Sequence, residues 1–197
     1  QKGLSGDIYK ELEDTIKSKR LNTSYVPVEK LNKLTDKNHQ GAVAQIAPIE
    51  FHDLDTLYES VIQKESKPLF LILDQLSDVR NFGAIIRTAE ISGVDGIIIQ
   101  NSSSAPINSD TVKTSAGAIF NIPIYKVDHL LDAIFLVKEQ NFIILGADEK
   151  SKKQLKSLKF NNKTIVILGS EGKGISSPVL KKCDDTFKIP LQGNIES

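Results

Sequence analysis

From Leu69 onward the chain alternates short apolar runs with longer amphipathic stretches. The runs are Leu69–Leu73, Gly96–Ile99, Phe142–Leu145, Thr164–Leu168 and Thr186–Ile189. Each is short and rich in isoleucine, and each gap is long enough for a helical crossover, which predicts strands running side by side in one direction. The fold class that follows is α/β, a parallel sheet with helices on both faces. One crossover helix is predicted to start at Asn81, because Phe82, Ile85, Ile86 and Ala89 keep the i, i+3, i+4, i+7 rhythm. Asn81 reads as its N-cap, and Arg87 falls off the apolar stripe. Another helix is predicted near Ser177-Pro178, a cap followed by proline at the first helical position.

The N-terminal part has a different rhythm. Leu4, Ile8, Leu12 and Ile16 recur every four residues among lysines and acids, the stripe of an amphipathic helix. Tyr25-Val26 reads as a short strand before Pro27, and Gly41 to Ile46 as a second one. From Ala47-Pro48 to Asp55 the periodicity is lost, which marks a linker. The organisation expected is therefore the end of a small α/β domain over 1–47, a linker and first helix over 48–66, and the main domain over 67–197.

Composition narrows the picture only a little. Of 197 residues, 40% are hydrophobic and 25% charged, as in an ordinary globular protein, and the formal net charge of zero casts no vote for nucleic acid. A local basic patch can still act within a neutral total. Lys150, Lys152, Lys153, Lys156, Lys159 and Lys163 form one, which reads as a solvated loop face. The single cysteine, Cys183, excludes a disulfide framework and fits a reducing cytosol. Beside Asp184 and Asp185 it reads as a buried small residue, since neighbouring acids raise a thiol's pKa. His39, His52 and His129 share no ligand spacing, so no metal site is inferred. No apolar run reaches the ~18 residues of a membrane span. The first and last residues read as the interior of a longer chain.

The chemistry concentrates where Thr164–Leu168 empties into Gly169-Ser-Glu-Gly-Lys-Gly174. The carboxyl ends of parallel strands form a crevice, and glycine lets a ligand approach the main chain. A Walker phosphate loop needs lysine and a hydroxyl directly after the last glycine, but Ile175 and Ser176 stand there. A dinucleotide fingerprint needs a third glycine where Ser177 stands, and an early position in the chain. Both readings fail. Glu171 would repel phosphate and suits a neutral, cationic or hydroxyl-bearing ligand. Only Arg20, Arg80 and Arg87 of the 25 basic residues are arginine. An arginine in a lysine-rich chain suits a phosphate or carboxylate, and an ion pair of Arg87 with Glu90 is the competing explanation.

Three segments together resemble the SpoU/TrmH branch of the SPOUT RNA ribose 2'-O-methyltransferases, in the same order. They are Asn81-Phe-Gly-Ala-Ile-Ile-Arg87-Thr-Ala-Glu90, Leu168-Gly-Ser-Glu-Gly-Lys-Gly-Ile175 and Ile189-Pro-Leu-Gln-Gly-Asn-Ile-Glu-Ser197. Ser104-Ala-Pro-Ile and Thr114-Ser-Ala-Gly-Ala118 fit as well. Asn38-His-Gln-Gly-Ala-Val-Ala44 is similar to the end of the L30e-like RNA-binding domain of bacterial 23S rRNA guanosine 2'-O-methyltransferases. The resemblance implies a C-terminal trefoil knot, a homodimer, and S-adenosylmethionine bent into the knot and held by main-chain contacts. It implies that Leu168, Gly169, Ile189 and Leu191 line the cofactor site. By the same resemblance Arg87, helped by the adjacent RNA phosphate that it binds, accepts the proton of the ribose hydroxyl or stabilises its developing charge and steers it, with Asn81, Glu171 and Ser197 completing the active site. Ser197 begins the family's final Ser-Leu-Asn triplet and the sequence ends there, so an incomplete pocket is expected.

The leading expectation is methylation of 23S rRNA, probed against three rivals: tRNA as substrate, an RNA-binding paralogue without catalysis, and a nucleotide-binding α/β protein. Asn81, Arg87 and Glu171 together oppose the second rival, and the failed phosphate and dinucleotide tests oppose the third.

Overall fold

The computed structural model describes residues 6–19, 21–36, 38–44, 49–63, 67–158, 160 and 162–190. They form two compact units, Gln1–Ile46 and Ala47–Ser197.

In the first unit, α1 (Asp7–Ser18) and α2 (Val28–Asn32) are the regular elements. The predicted stripe of α1 stays open: Ile8 and Leu12 are exposed, and the helix buries no residue. Tyr25-Val26 is not a strand. Pro27 follows it as the N-cap of α2, and the Tyr25 hydroxyl instead donates to Glu13 Oε1 (3.1 Å), which also accepts from Tyr9 (2.7 Å). That hydrogen bond to Glu13 pushes the Tyr9 pKa up to about 12. Nor is there a strand over Gly41–Ala44, while Gln45 and Ile46 lie outside the described residues. Gln40 and Gly41 both take positive φ (47° and 85°), which turns the chain where a strand would extend it.

The second unit is the parallel sheet. Its strands are β1 (Leu69–Leu73), β2 (Gly96–Gln100), β3 (Ile124–Val127), β4 (Ile143–Ala147), β5 (Thr164–Leu168) and β6 (Asp185–Phe187). They lie in the order β3-β2-β1-β5-β4-β6, every pair parallel. β3 is the strand that the apolar runs missed, because Lys126 interrupts its sequence. The helices are α3 (Leu54–Gln63), α4 (Val79–Ile91), α5 (Ser109–Thr114), α6 (Leu130–Glu139) and α7 (Ser177–Leu180).

Successive side chains of a strand point to opposite faces, and the two cores follow from that. Phe70, Ile72, Ile98, Ile165 and Ile167 pack under Leu57 of α3, Ile134 and Val137 of α6 and Val179 of α7. Leu71, Leu73, Ile97, Ile99 and Ile124 pack under Phe82, Ile86 and Ala89 of α4. The stretch that reads as a linker is part of this unit from Ile49 on: Ile49 and Phe51 pack on the second core. His52 also extends the sheet, donating from its N–H to Ile124 O (3.0 Å) and accepting from Lys126 N (2.7 Å).

Asn81 is not the N-cap of α4. The helix starts two residues earlier, and Asp78 caps it by accepting from the Asn81 N–H at 2.8 Å. An aspartate in this role satisfies a free N–H and also complements the positive end of the helix. At the second predicted start, Ser176 is the N-cap of α7 and Pro178 sits in its first turn.

Helices α4 and α5 touch through a glycine. A Cβ on Gly83 would lie 2.0 Å from Thr114 Oγ1 and 3.0 Å from Ser115 N. Gly83→Ala is therefore expected to destabilise the unit by about 1–3 kcal/mol despite alanine's better helix propensity. Thr114→Ala in the same chain should return part of the loss, read as urea unfolding midpoints.

Candidate active site

The carboxyl ends of β1 and β5 are adjacent, Leu73 opposite Leu168. What leaves them is bound together by two contacts. At the end of β1, Asp74 is 2% exposed, and its N–H donates to Leu168 O at 2.9 Å. Its carboxylate Oδ2 accepts from the Ser176 N–H at 2.7 Å, which pins the start of α7 to the end of β1. A charge-assisted bond of this kind is among the stronger hydrogen bonds.

Between β5 and α7 the chain makes a tight turn. Ser170 and Gly174 exchange both backbone hydrogen bonds (3.1 and 2.8 Å), leaving Glu171, Gly172 and Lys173 at the tip. Gly172 and Gly174 adopt φ of 78° and 67°, values that favour glycine. Gly169 is required for a different reason, since a Cβ there would stand 2.0 Å from the Gly174 carbonyl carbon. Ser170 Oγ is buried beneath the turn with no hydrogen-bond partner among the described residues.

The second contact joins the turn to α4. Asn81 Nδ2 donates to Glu171 Oε2 at 3.0 Å. The structure thus brings together two of the predicted catalytic residues, which are 90 positions apart in the chain. Arg87 is on the same helix, exposed, six residues on, or about 9 Å along the axis and a third of a turn round from Asn81. No hydrogen bond joins Arg87 to that pair among the described residues. The ion pair with Glu90 is absent as well, and Glu90 accepts from Asn121 Nδ2 (3.3 Å) instead. Among the described residues Arg87 therefore presents an uncompensated guanidinium beside the helix face that is tied to the turn.

Of the residues expected to hold a cofactor, Leu168 is half-buried against the second core and Gly169 starts the turn. Ile189 follows β6 and is 58% exposed, an apolar side chain with its surface uncovered. Leu191 and Ser197 lie outside the described residues. The chain after β6 is held by the loop that follows β4: Lys188 N donates to Lys153 O (2.8 Å) and Leu155 N to Lys188 O (3.0 Å). Lys153 also pairs with Asp185, and this hydrogen bond holds the Asp185 pKa below the usual carboxylate value. Lys150, Lys152 and Lys156 remain exposed, as a solvated loop face requires, whereas Lys163 sits over the Phe142 ring. Sequence reasoning missed Asp74 and Asp78. Asp78 carried a signal, an acid directly before a helical rhythm, but Asp74 carried none, because its partner is 102 residues away.

Cys183 is half-buried, and burial first, then Asp184, raises its pKa to about 11.

Residues 68–197 match the family described as the SpoU rRNA Methylase family, and residues 1–52 match the family described as RNA 2'-O ribose methyltransferase substrate binding. The "Putative TrmH family tRNA/rRNA methyltransferase YacO" of Bacillus subtilis is 36% identical over 181 residues, covering 92% of this chain and 73% of its own. A Staphylococcus haemolyticus protein of the same designation is 35% identical over 197 residues, covering 100% of this chain and 79% of its own. Among solved structures, the SpoU methyltransferase AviRb from Streptomyces viridochromogenes superimposes with a TM-score of 0.66 at 25% identity, covering 76% of this chain and 58% of AviRb. AviRb in complex with the cofactor AdoMet gives a TM-score of 0.63 at 25% identity, covering 70% of this chain and 54% of AviRb.

Two tests follow from this geometry. Asp74→Ala removes the acceptor of the Ser176 N–H and is expected to lower stability by about 1–3 kcal/mol, with Asp74→Asn, which keeps an acceptor, losing less. Equal losses by urea denaturation would contradict the role given to the carboxylate. Separately, a thiol with a pKa near 11 holds far less thiolate at neutral pH than an ordinary one. Alkylation of Cys183 by iodoacetamide should run about two orders of magnitude slower than that of a free cysteine, and should accelerate as pH rises toward 11.

Proposed function

The chain belongs to the SpoU rRNA methylase family, and from that premise we propose that it methylates the 2'-hydroxyl of a ribose, a guanosine of 23S rRNA, using S-adenosylmethionine. One contact supports the reading most directly: Asn81 reaches Glu171 at 3.0 Å, where β1 and β5 end and where ligands of parallel sheets bind. The reading also includes a trefoil knot in the chain beyond β6, an L30e-like RNA-binding domain in residues 1–47, a homodimer and a cytoplasmic location.

The residues present fit the donor. Its adenine wants apolar walls and its polar groups want main-chain partners. Leu168 and the uncovered Ile189 provide the first, Gly169 the second, and Ser170 Oγ is a buried polar atom still in want of a partner. Leu191 would add a further apolar wall. When bound, S-adenosylmethionine supplies a methyl group on a sulfonium, an electrophile that needs no metal.

The protein's task is the hydroxyl. A ribose hydroxyl is a poor nucleophile near neutral pH, so its proton must be accepted or its developing charge stabilised. Arg87, exposed and without a carboxylate partner among the described residues, binds the RNA phosphate next to the target, fixes the hydroxyl's direction, and with that phosphate accepts the hydroxyl's proton or stabilises its developing charge as the methyl leaves the sulfonium. Glu171 orients the ribose, and Asn81 holds Glu171 while its own helix carries Arg87. Ser197, outside the described residues, would add a further polar group to the active site. The relatives are named as tRNA/rRNA methyltransferases, which makes tRNA the second reading.

Transfer of a tritiated methyl group to rRNA lacking the modification, and in parallel to tRNA, decides between them. The full-length protein is expected to label the rRNA, and Arg87→Ala to lose at least about 100-fold. Labelling of tRNA alone would move the substrate to the second reading. No transfer by full-length protein that binds the cofactor would sink the enzyme reading and leave an RNA-binding paralogue.

A further inference from the structure

A lysine stands where the sheet calls for an apolar residue. In β3 the alternation puts Lys126 on the same face as Ile124, toward the core under α4, and register places it beside Ile99 of β2. A charged group at such a position costs stability unless it is partnered or used. Among the described residues Lys126 has no ion pair. Its ammonium lies 4.5 Å from the centroid of the Phe51 ring, an attraction that holds it in place, and its three N–H groups make no hydrogen bond among the described residues.

That ammonium borders a cavity of about 200 Å³ at the carboxyl ends of β2 and β3. Phe51, Ile99, Pro106 and Ile107 contribute apolar side chains to its walls, while polar atoms, with Lys126, Asn101 and Ser104 among the lining residues, make up the larger share of the exposed lining. Ser104 Oγ has its hydrogen committed to Gln100 O (2.5 Å), and Asn101 Nδ2 donates one hydrogen to Asp128 Oδ1 (2.6 Å). The donors left are the Lys126 ammonium and one Asn101 amide hydrogen, and the Asp128 carboxylate already stands beside that amide. A phosphate needs several donors and no neighbouring anion. A flat, uncharged ring with polar groups on its edge suits a lining that sets Phe51, Ile99, Pro106 and Ile107 beside Lys126 and Asn101.

We propose that this cavity binds an unstacked RNA base flanking the methylated nucleotide, and that Lys126 selects a base with a carbonyl at the O4 or O6 position, uracil or guanine. Recognition of single-stranded RNA works by splaying bases into such pockets and reading their edges. Uracil O4 and guanine O6 accept from an ammonium, whereas the amino groups of cytosine and adenine at the same places repel it. The cavity lies at the end of β2, the strand next to β1, and strands are about 4.8 Å apart. A base held here is thus a near neighbour of one held at the β1–β5 crevice. The inference rests on RNA being the substrate.

Fluorescence anisotropy of the protein with short oligo(U), oligo(C) and oligo(A) RNA at several salt concentrations tests it. Oligo(U) is expected to bind about tenfold more tightly than the other two. Lys126→Met, which keeps the aliphatic stem on Phe51, should erase that preference and leave the salt dependence unchanged. Equal weakening for all three RNAs, with a salt slope smaller by about 0.7, would identify a phosphate contact and overturn the base assignment. So would a preference that is absent from the wild type or survives in Lys126→Met. Displacement of oligo(U) from the wild type, stronger by uridine than by cytidine monophosphate, makes the same distinction without any variant. Failure to bind any RNA would overturn the RNA reading itself, whereas loss of base preference alone leaves methyl transfer standing.

Discussion

The pairing of β1 with β5 is the constraint on which the rest depends. Five successive positions are in register, from Leu69 opposite Thr164 to Leu73 opposite Leu168. Because the strands are parallel, their carboxyl ends fall at the same level, and two loops distant in sequence must leave the sheet side by side. Asp74 can then reach the Ser176 N–H, and Asn81 can reach Glu171. An antiparallel pairing of the same segments would have sent those loops to opposite ends of the sheet.

The two contacts differ in kind. The Asp74 carboxylate is buried and bonded to the main chain, so it defines where the turn after β5 begins. The Asn81–Glu171 bond is at the surface, where water competes, and is individually weak. Its value lies in position, since it sets an acid and an amide on the rim of the crevice while Arg87, on the same helix, is unpaired among the described residues. Three glycines make this possible: Gly169 by leaving room for Gly174, and Gly172 and Gly174 by their positive φ.

The other half of the sheet has its own economy. β3 carries a lysine on its core face, and Phe51, from a stretch with no legible periodicity, covers it. A segment read as a linker is thereby part of a wall. If the cavity beside Lys126 holds a base, reading and reacting are divided between neighbouring strand ends of one rigid sheet, which keeps their spacing constant.

Much of this was legible beforehand because it depends on local pattern. Five of the six strands, the α4 helix and the glycine turn follow from apolar rhythm and from backbone chemistry that only glycine allows. The readings that failed needed a partner to decide them. Tyr25-Val26 has the residues of a strand but no edge to pair with, so its tyrosine serves Glu13. Ile124–Val127 has a lysine in its pattern but an edge on each side, β2 and His52, so it is a strand. Asn81 reads as a helix cap, yet the capping role belongs to Asp78, which leaves the Asn81 side chain to bond Glu171. The sequence by itself determined five of the six strands, their common direction and the residue types at the crevice, because periodicity and steric limits act within a few residues. Tertiary structure alone decided which groups meet, since a hydrogen bond between positions 90 or 102 residues apart exists only once the strands between them have been ordered in the sheet.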